Sequence, residues 1–187
     1  IIKKNNLNRQ TLYNLKDLGK KKTEVAKKKL LSINPHANIK SYNTKITKKN
    51  LSLLKKSSII IDASDNWITM KQINNFCVNN NIPLLSTSAI GFDIQIVLFI
   101  NKKNQHLCLE CIFPNKKEAE IARCDKVGIL GTAAGLAGIF SAQKTINFLM
   151  KYDSNYDLLT LIDCKSLSIS QIKINKNNKC KIQNLKK

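Results

Sequence analysis

The chain has 187 residues, of which 43% are hydrophobic, so it is long enough to fold around a sizeable core. It has no uncharged apolar run of about 18 residues and no signal-peptide pattern, which argues against a membrane span and predicts a cytoplasmic protein. Its net charge of +20 would suit nucleic acid, but 30 Lys, 25 Ile and 23 Asn beside two Arg indicate the residue usage of an A+T-rich genome. Because Arg is the usual residue for phosphate and base contacts, no nucleic-acid partner is expected.

The first predicted element is an amphipathic helix over residues 17–34, which ends at the Asn34-Pro35 pair. Its apolar face comprises Val25, Ala26, Leu30, Leu31 and Ile33. Residues 38–46 alternate like a short strand, and residues 47–57 predict a short helix.

A buried strand is predicted next, within residues 57–66, because three consecutive Ile suit a strand of a parallel sheet that is covered on both faces. Asp62 and Asp65 follow these apolar residues and would lie at the carboxyl end of the strand. Ligands of open α/β sheets bind at that edge, so the two carboxylates mark a candidate site.

The remaining elements continue the alternation of helices and strands. Residues 67–81 predict a helix whose inner face comprises Ile68, Ile73, Phe76, Cys77 and Val78. Strands are predicted within 82–92 and 93–101, and a hairpin-like pair of strands within 156–175. Residues 102–126 predict a long loop around a cysteine pair, and residues 127–151 predict a buried Gly/Ala-rich core helix. This order predicts a mixed α/β sheet in one domain that spans residues 1–187.

Five stretches, in this order and at these intervals, resemble the ThiF/MoeB/HesA family, the bacterial relatives of ubiquitin-activating enzymes: NNLNRQTLY, GKKKTEVAKKKLLSINP, IIIDASDN, PLLSTSAIGFDIQ and CLEC. The STSAIGFDIQ and FPN…ARCDKVGILG segments favour the ThiF branch. The resemblance implies a Rossmann-like mixed sheet with helices on both faces. It also implies ATP-dependent adenylation of the C-terminal glycine carboxylate of a ubiquitin-like sulfur carrier, ThiS-like and serving thiamine thiazole synthesis. MoeB-type activation of the molybdopterin synthase small subunit is the alternative.

The resemblance also implies which residues bind ATP and Mg²⁺. Asn6 and Arg9 would face the phosphates, with Lys22 as a second cation. Asp65 would hold Mg²⁺, with Asn66 beside it. Alternatives remain open at this point: Arg9 as an exposed residue without a role, a neighbouring Lys in place of Lys22, and the aspartates as an ordinary strand end and helix N-cap.

Four cysteines match family positions. Cys124 matches a reactive cysteine that takes part in sulfur transfer, with a cysteine desulfurase as the expected donor, and Arg123 beside it would favour the thiolate. The alternative is a loop thiol without a role. Cys108 and Cys111 form half of a four-thiolate zinc site, and Cys180 matches a third ligand, whereas Gln183 stands at the fourth position. His106 is a possible substitute ligand, and Zn²⁺ binding is left open.

The family places a strand, a glycine-rich phosphate loop, a helix and an acidic ribose-binding strand before the NNLNRQ segment. These 187 residues contain no such motif, so the first βαβ nucleotide-binding unit is expected to be absent. We expect either a fragment of a longer chain or a decaying gene, inactive by itself; a carrier-binding remnant without catalysis is the non-enzymatic alternative. Family members dimerise, so a homodimer is expected, with the helix at 127–151 near its interface.

Overall fold

The computed structural model describes residues 1–101, 107–114, 128–152, 156–177, 180 and 182. The chain divides into two compact units. The N-terminal unit comprises Ile1–Lys45 and Leu130–Thr132, and the sheet unit comprises Ile46–Ile129 and Ala133–Lys187. The single domain that the sequence suggests stays a prediction.

The N-terminal unit contains two 3₁₀ helices, Lys4–Asn6 and Leu15–Asp17, followed by helix α1, Lys22–Ile33. α1 begins later than predicted because a positive φ of 77° at Gly19 separates it from the preceding turn. The expected apolar face is largely wrong, since Val25 is buried while Leu30 and Ile33 are 41% and 78% exposed.

A buried carboxylate, Asp17, holds this unit together. It accepts hydrogen bonds from the ammonium of Lys29 at 2.6 Å and from the backbone N–H of Asn14 at 3.1 Å. The hydrogen bond from Lys29 is the main reason that the pKa of Asp17 is lowered. The strand predicted over 38–46 is wrong, because these residues form neither strand nor helix and pair with no sheet.

The sheet unit is built on five strands: β1 Ile60–Asp62, β2 Leu84–Ile90, β3 Asp93–Phe99, β4 Leu158–Asp163 and β5 Ser168–Lys173. They lie in the order β1-β2-β3-β4-β5. β1 and β2 are parallel, and helix α2 (Trp67–Asn80) joins them, as a parallel pair requires. The remaining pairs are antiparallel. The predicted mixed sheet and its final hairpin are therefore confirmed.

Helices cover both faces of the sheet. On one face, Ile73 and Cys77 of α2 pack in the same cluster as Leu84 and Phe99, and the short helix α3 (Leu109–Ile112) adds Leu109. On the other face, the long helix α4 (Gly131–Leu149) contributes Ala133 and Ala137 to a second cluster with residues of β2, β3 and β4. Of the predicted loop at 102–126, only 107–114 belong to the described residues, and α3 lies there.

The expectations about burial are confirmed only in part. Ile61 is 49% exposed, so β1 is not covered on both faces. On the expected inner face of α2, Ile73, Cys77 and Val78 are buried, whereas Ile68 is 51% exposed and Trp67 is buried instead. α4 is not a fully buried helix. Small residues spaced by four (Ala133, Ala137 and Ser141) face inward, while larger ones such as Ile139 and Ile146 are 68% and 52% exposed. All six residues of β5 are exposed. No helix in the described ranges has the length and apolarity needed to span a bilayer.

Candidate functional site

The carboxyl end of β1 carries a buried carboxyl group. Asp62 is 2% exposed, and its Oδ1 accepts a hydrogen bond from the backbone N–H of Ser64 at 3.0 Å. Its Oδ2 and the Ser64 hydroxyl oxygen are also buried and have no hydrogen-bond partner within the described part of the chain. Burial raises the pKa of Asp62, because desolvation disfavours the charged form. The strand end therefore has two buried polar oxygen atoms, Asp62 Oδ2 and Ser64 Oγ, that are available to a ligand.

The next carboxylate, Asp65, lies at the start of α2. The cap of this helix is Asn66, whose Oδ1 accepts the backbone N–H of Thr69 at 3.0 Å. The alternative reading of Asp65 as the helix cap is therefore wrong. Asp65 is exposed, and no hydrogen bond or ion pair engages its side chain among the described residues. An uncommitted carboxylate at this edge has the oxygen donors that Mg²⁺ prefers.

In the N-terminal unit, the segment around Arg9 folds into a tight turn. Arg9 Nη1 donates to the carbonyl oxygen of Asn5 at 3.1 Å and to Oδ1 of Asn8 at 3.0 Å. Asn6 is buried, and its Oδ1 accepts the backbone N–H of Lys3 at 2.9 Å. Since these partners are neutral, the turn orients the guanidinium without neutralising its charge.

The glycine at position 131 permits a close approach to this turn. A Cβ at Gly131 would collide with the carbonyl oxygen of Asn8, so no larger residue fits without a shift of the backbone. Gly131, which belongs to the N-terminal unit, thus lies directly against the segment that carries Arg9.

The three consecutive lysines at 20–22 differ in their partners. Lys20 pairs with Asp17 at 3.4 Å, and Lys21 pairs with Glu24 at 2.9 Å. The Lys22 ammonium has no ion pair within the described ranges, while its carbonyl oxygen accepts the hydroxyl of Tyr13 at 3.2 Å. This pattern favours Lys22 over its neighbours as a cation available to a ligand. Asn6, Arg9 and Lys22 belong to the N-terminal unit, and Asp65 and Asn66 to the sheet unit, so their convergence on one ligand stays a prediction.

A cluster of three thiols, Cys108, Cys111 and Cys180, forms a second site in the sheet unit. Their sulfur atoms all lie within 4.8 Å of one another. Cys108 Sγ is 3.9 Å from Cys111 Sγ and 3.5 Å from Cys180 Sγ. Tetrahedral Zn²⁺ with bonds of about 2.3 Å would space its sulfur ligands by about 3.8 Å. The donor set and the spacing therefore fit a zinc ion.

The thiol cluster also favours one thiolate. The hydrogen bond from the Cys108 thiol is the main cause that lowers the pKa of Cys111 to about 5, and the same contact raises the pKa of Cys108. A deprotonated sulfur is the form that ligates a metal. Gln183, His106 and the Arg123-Cys124 pair lie outside the described residues.

Helix α2 holds the thiol cluster through three residues on one face. Asn74 Oδ1 accepts the backbone N–H of Leu109 at 3.0 Å, and Lys71 Nζ is 3.4 Å from Glu110 Oε1. Val78 packs in one cluster with Cys108 and Cys180. The sequence pattern alone did not identify this role of Asn74, although a polar residue among the apolar positions of the helix was a signal for it.

A family model places the chain. The model of the ThiF family matches residues 1–182, so the chain belongs to the ThiF family. Among curated relatives, the sulfur carrier protein ThiS adenylyltransferase of Escherichia coli K12 is 28% identical over 178 residues, which covers 95% of this chain and 70% of that protein. The adenylyltransferase and sulfurtransferase MOCS3 of Culex quinquefasciatus is 31% identical over 150 residues, 79% of this chain and 34% of that protein.

Solved structures support the fold. The crystal structure of Escherichia coli MccB with MccA-N7isoASN has a TM-score of 0.82, with 21% sequence identity, and the match covers 97% of this chain and 57% of that chain. At this level of identity, the likeness confirms the Rossmann-like fold and carries no inference about activity.

Proposed function

We propose that this chain takes part in adenylation of the C-terminal glycine carboxylate of a ubiquitin-like sulfur carrier, with ATP as the second substrate. The carboxylate oxygen attacks the α-phosphorus of ATP, a new P–O bond forms, and the bond to pyrophosphate breaks. The products are the acyl adenylate and pyrophosphate. The observation that carries the proposal is the match to a ThiS adenylyltransferase over 95% of the chain.

The proposed roles follow from two cations that form no ion pair among the described residues, and from a carboxylate that has no partner there. Arg9, with Asn6 beside it, binds the phosphates through its planar fork, and Lys22 supplies the second positive charge. Asp65 holds Mg²⁺, which neutralises charge on the phosphates, and Asn66 orients the start of α2 next to it. In such a reaction the main contribution of the protein is to position the two substrates and to stabilise the negative charge on the phosphates.

The carrier itself is the finer part of the proposal. A ThiS-like carrier of thiamine thiazole synthesis is favoured by the match to the ThiS adenylyltransferase, of which the chain covers 70%. A carrier of the type that MoeB activates is the second candidate, since the MOCS3 relative is the more similar in identity, at 31%. Because the chain spans about a third of that relative, its match carries less weight.

Three further parts of the proposal concern the assembly. Cys124 takes part in passing sulfur to the activated carrier, with a cysteine desulfurase as donor, and the protein works as a homodimer. Zn²⁺ binds the thiol cluster, where it would supply a structural cross-link and no redox chemistry. We place the reaction in the cytoplasm, where free thiols of this kind persist.

An ATP–pyrophosphate exchange assay on the complete native reading frame tests the activity. With a ThiS-like carrier present we expect carrier-dependent exchange, and we expect Lys22→Ala and Arg9→Lys to lower it by about 100-fold, as loss of one charged contact to a transition state does. The matched control is Lys21→Ala, which we expect to keep the exchange, because Lys21 is already paired with Glu24.

The outcomes separate the candidate functions. Adenylation of the MoeB-type carrier alone would contradict the ThiS assignment. Carrier binding without exchange would favour a non-catalytic carrier-binding remnant. Equal activity of Lys22→Ala and Lys21→Ala would remove Lys22 from the site.

A further inference from the structure

We infer that Asn74 is a positioning residue for the thiol cluster and that its side-chain carbonyl sets the metal affinity of Cys108 and Cys111. The inference rests on the proposed zinc site and goes beyond it, since Asn74 is not one of the proposed ligands. It acts through the backbone of the loop that presents the two thiols.

The first argument is the burial of Asn74. It is 1% exposed within α2, between the apolar positions Ile73 and Cys77, where a helix that packs on a sheet ordinarily places a hydrophobic residue. Burying a carboxamide costs free energy unless its polar atoms are satisfied. The side chain must therefore make a contact that repays this cost.

That contact is with the cysteine loop. Asn74 Oδ1 accepts the N–H of Leu109 at 3.0 Å in a buried environment, across 35 residues of sequence. Cys108 immediately precedes this N–H and is the N-cap of α3, but its own side chain makes no capping hydrogen bond. Asn74 thus satisfies a donor at the start of α3 that the loop leaves without a local partner.

The position of the bond explains its effect on the thiols. The Leu109 N–H lies between the two ligands of the CxxC pair, and Cys111 N–H donates to Cys108 O at 2.9 Å within the same turn. Fixing the peptide between Cys108 and Leu109 therefore limits the directions that both side chains can take. Partners that orient metal ligands in this way typically change metal affinity by about 10–100-fold when removed.

Competition titration of Zn²⁺ against a chromogenic chelator, on the full chain after reduction and metal removal, tests the inference. For Asn74→Ala we expect the Zn²⁺ dissociation constant to rise about 10–100-fold. Asn74→Asp keeps an acceptor oxygen of the same reach but removes the Nδ2 donor, which bonds Asn75 Oδ1 at 3.3 Å, and we expect it to recover at least part of the affinity that Asn74→Ala loses. The matched control is Asn79→Ala, an exposed Asn on the same helix, which we expect to bind like the wild type.

A spectroscopic readout separates positioning from mere support of the fold. Co²⁺ in place of Zn²⁺ gives thiolate charge-transfer bands, which we expect to weaken in Asn74→Ala and return in Asn74→Asp. If Asn74→Ala lowers the melting temperature of the metal-free chain but binds Zn²⁺ as the wild type does, the inference is wrong.

The failure of the parent proposal looks different. A wild-type chain that binds no Zn²⁺ overturns the zinc site, and with it this inference. A wild-type chain that binds while Asn74→Ala binds equally overturns the inference alone. Should Asn74→Ala fail to fold, Asn74→Leu decides, because it fills the buried position without supplying an acceptor: a folded variant with weakened Zn²⁺ binding supports the inference, and one with wild-type affinity refutes it.

Discussion

Removing the metal from the thiol cluster gives the sharpest test of how the sheet unit is stabilised. A metal held by Cys108 and Cys180 closes a loop of 72 residues, which links the α3 turn to the segment near residue 180. The chain-entropy relation for such a cross-link gives about 4 kcal/mol at 25 °C. For a chain of this size, that corresponds to a fall in Tm of about 8–16 °C when the metal is stripped.

The measurement is thermal unfolding, monitored by circular dichroism with and without a zinc chelator, on three reduced proteins. We expect the chelator to lower the Tm of the wild type by this amount and to leave Cys180→Ser almost unchanged. Cys164→Ser is the control, because Cys164 is a partly buried free cysteine outside the thiol cluster, and we expect it to respond like the wild type.

Comparing the Tm of each protein with and without chelator cancels the destabilisation caused by replacing a buried thiol with a hydroxyl. A wild type that melts at the same temperature with and without chelator would refute the cross-link. A Cys180→Ser variant with the full chelator response would show that Cys180 is not a ligand.

Three further changes test the described geometry by denaturant unfolding. Gly131→Ala forces a methyl group onto the carbonyl of Asn8 and is expected to lower the free energy of unfolding by more than about 1 kcal/mol. Gly135→Ala adds a methyl group in open space and is expected to stabilise the helix by up to about 1 kcal/mol. Equal effects of the two substitutions would contradict the close approach of Gly131 to Asn8. The pKa of Asp62 is raised in the folded state, so its contribution to stability is present below the ordinary value of 3.8 and is lost as the pH rises through the raised value. Asp62→Asn is therefore expected to gain stability relative to the wild type as the pH rises from 3 to 8, and a gain that does not vary with pH would refute this. Asn66→Ala is expected to cost about 1 kcal/mol, and Asn66→Asp, which keeps the helix cap, much less; the same loss in both would contradict the cap.

The sheet could be predicted because its sequence signals are local. The alternation in 156–175 predicts a hairpin, and the structure has β4 there. Asp62 directly follows three consecutive Ile, and it is the last residue of β1. The strand predicted at 38–46 fails for the complementary reason: alternation alone forms no strand where no neighbouring strand supplies backbone partners.

Burial was harder to predict, because a single sequence does not say how much of a helix its neighbours cover. The small residues of α4 indicated close packing, and Ala133, Ala137 and Ser141 do face the sheet, whereas Ile139 and Ile146 point outward. The candidate site divides in the same way. The CxxC pair was visible as a motif, whereas the role of Asn74 depends on a contact between residues that lie 35 positions apart.

The exposed last strand has a practical consequence for handling the protein. β5 pairs with β4 along one side, and its outer side has no strand partner within the described residues, so its backbone groups offer a template for another chain. Lys173 is the last residue of this strand and Lys165 and Lys176 flank it, within a chain of net charge +20. Mutual repulsion of these ammonium groups keeps two such edges apart only while it is unscreened, so we expect purified material to self-associate as ionic strength rises and to remain dispersed in dilute buffer.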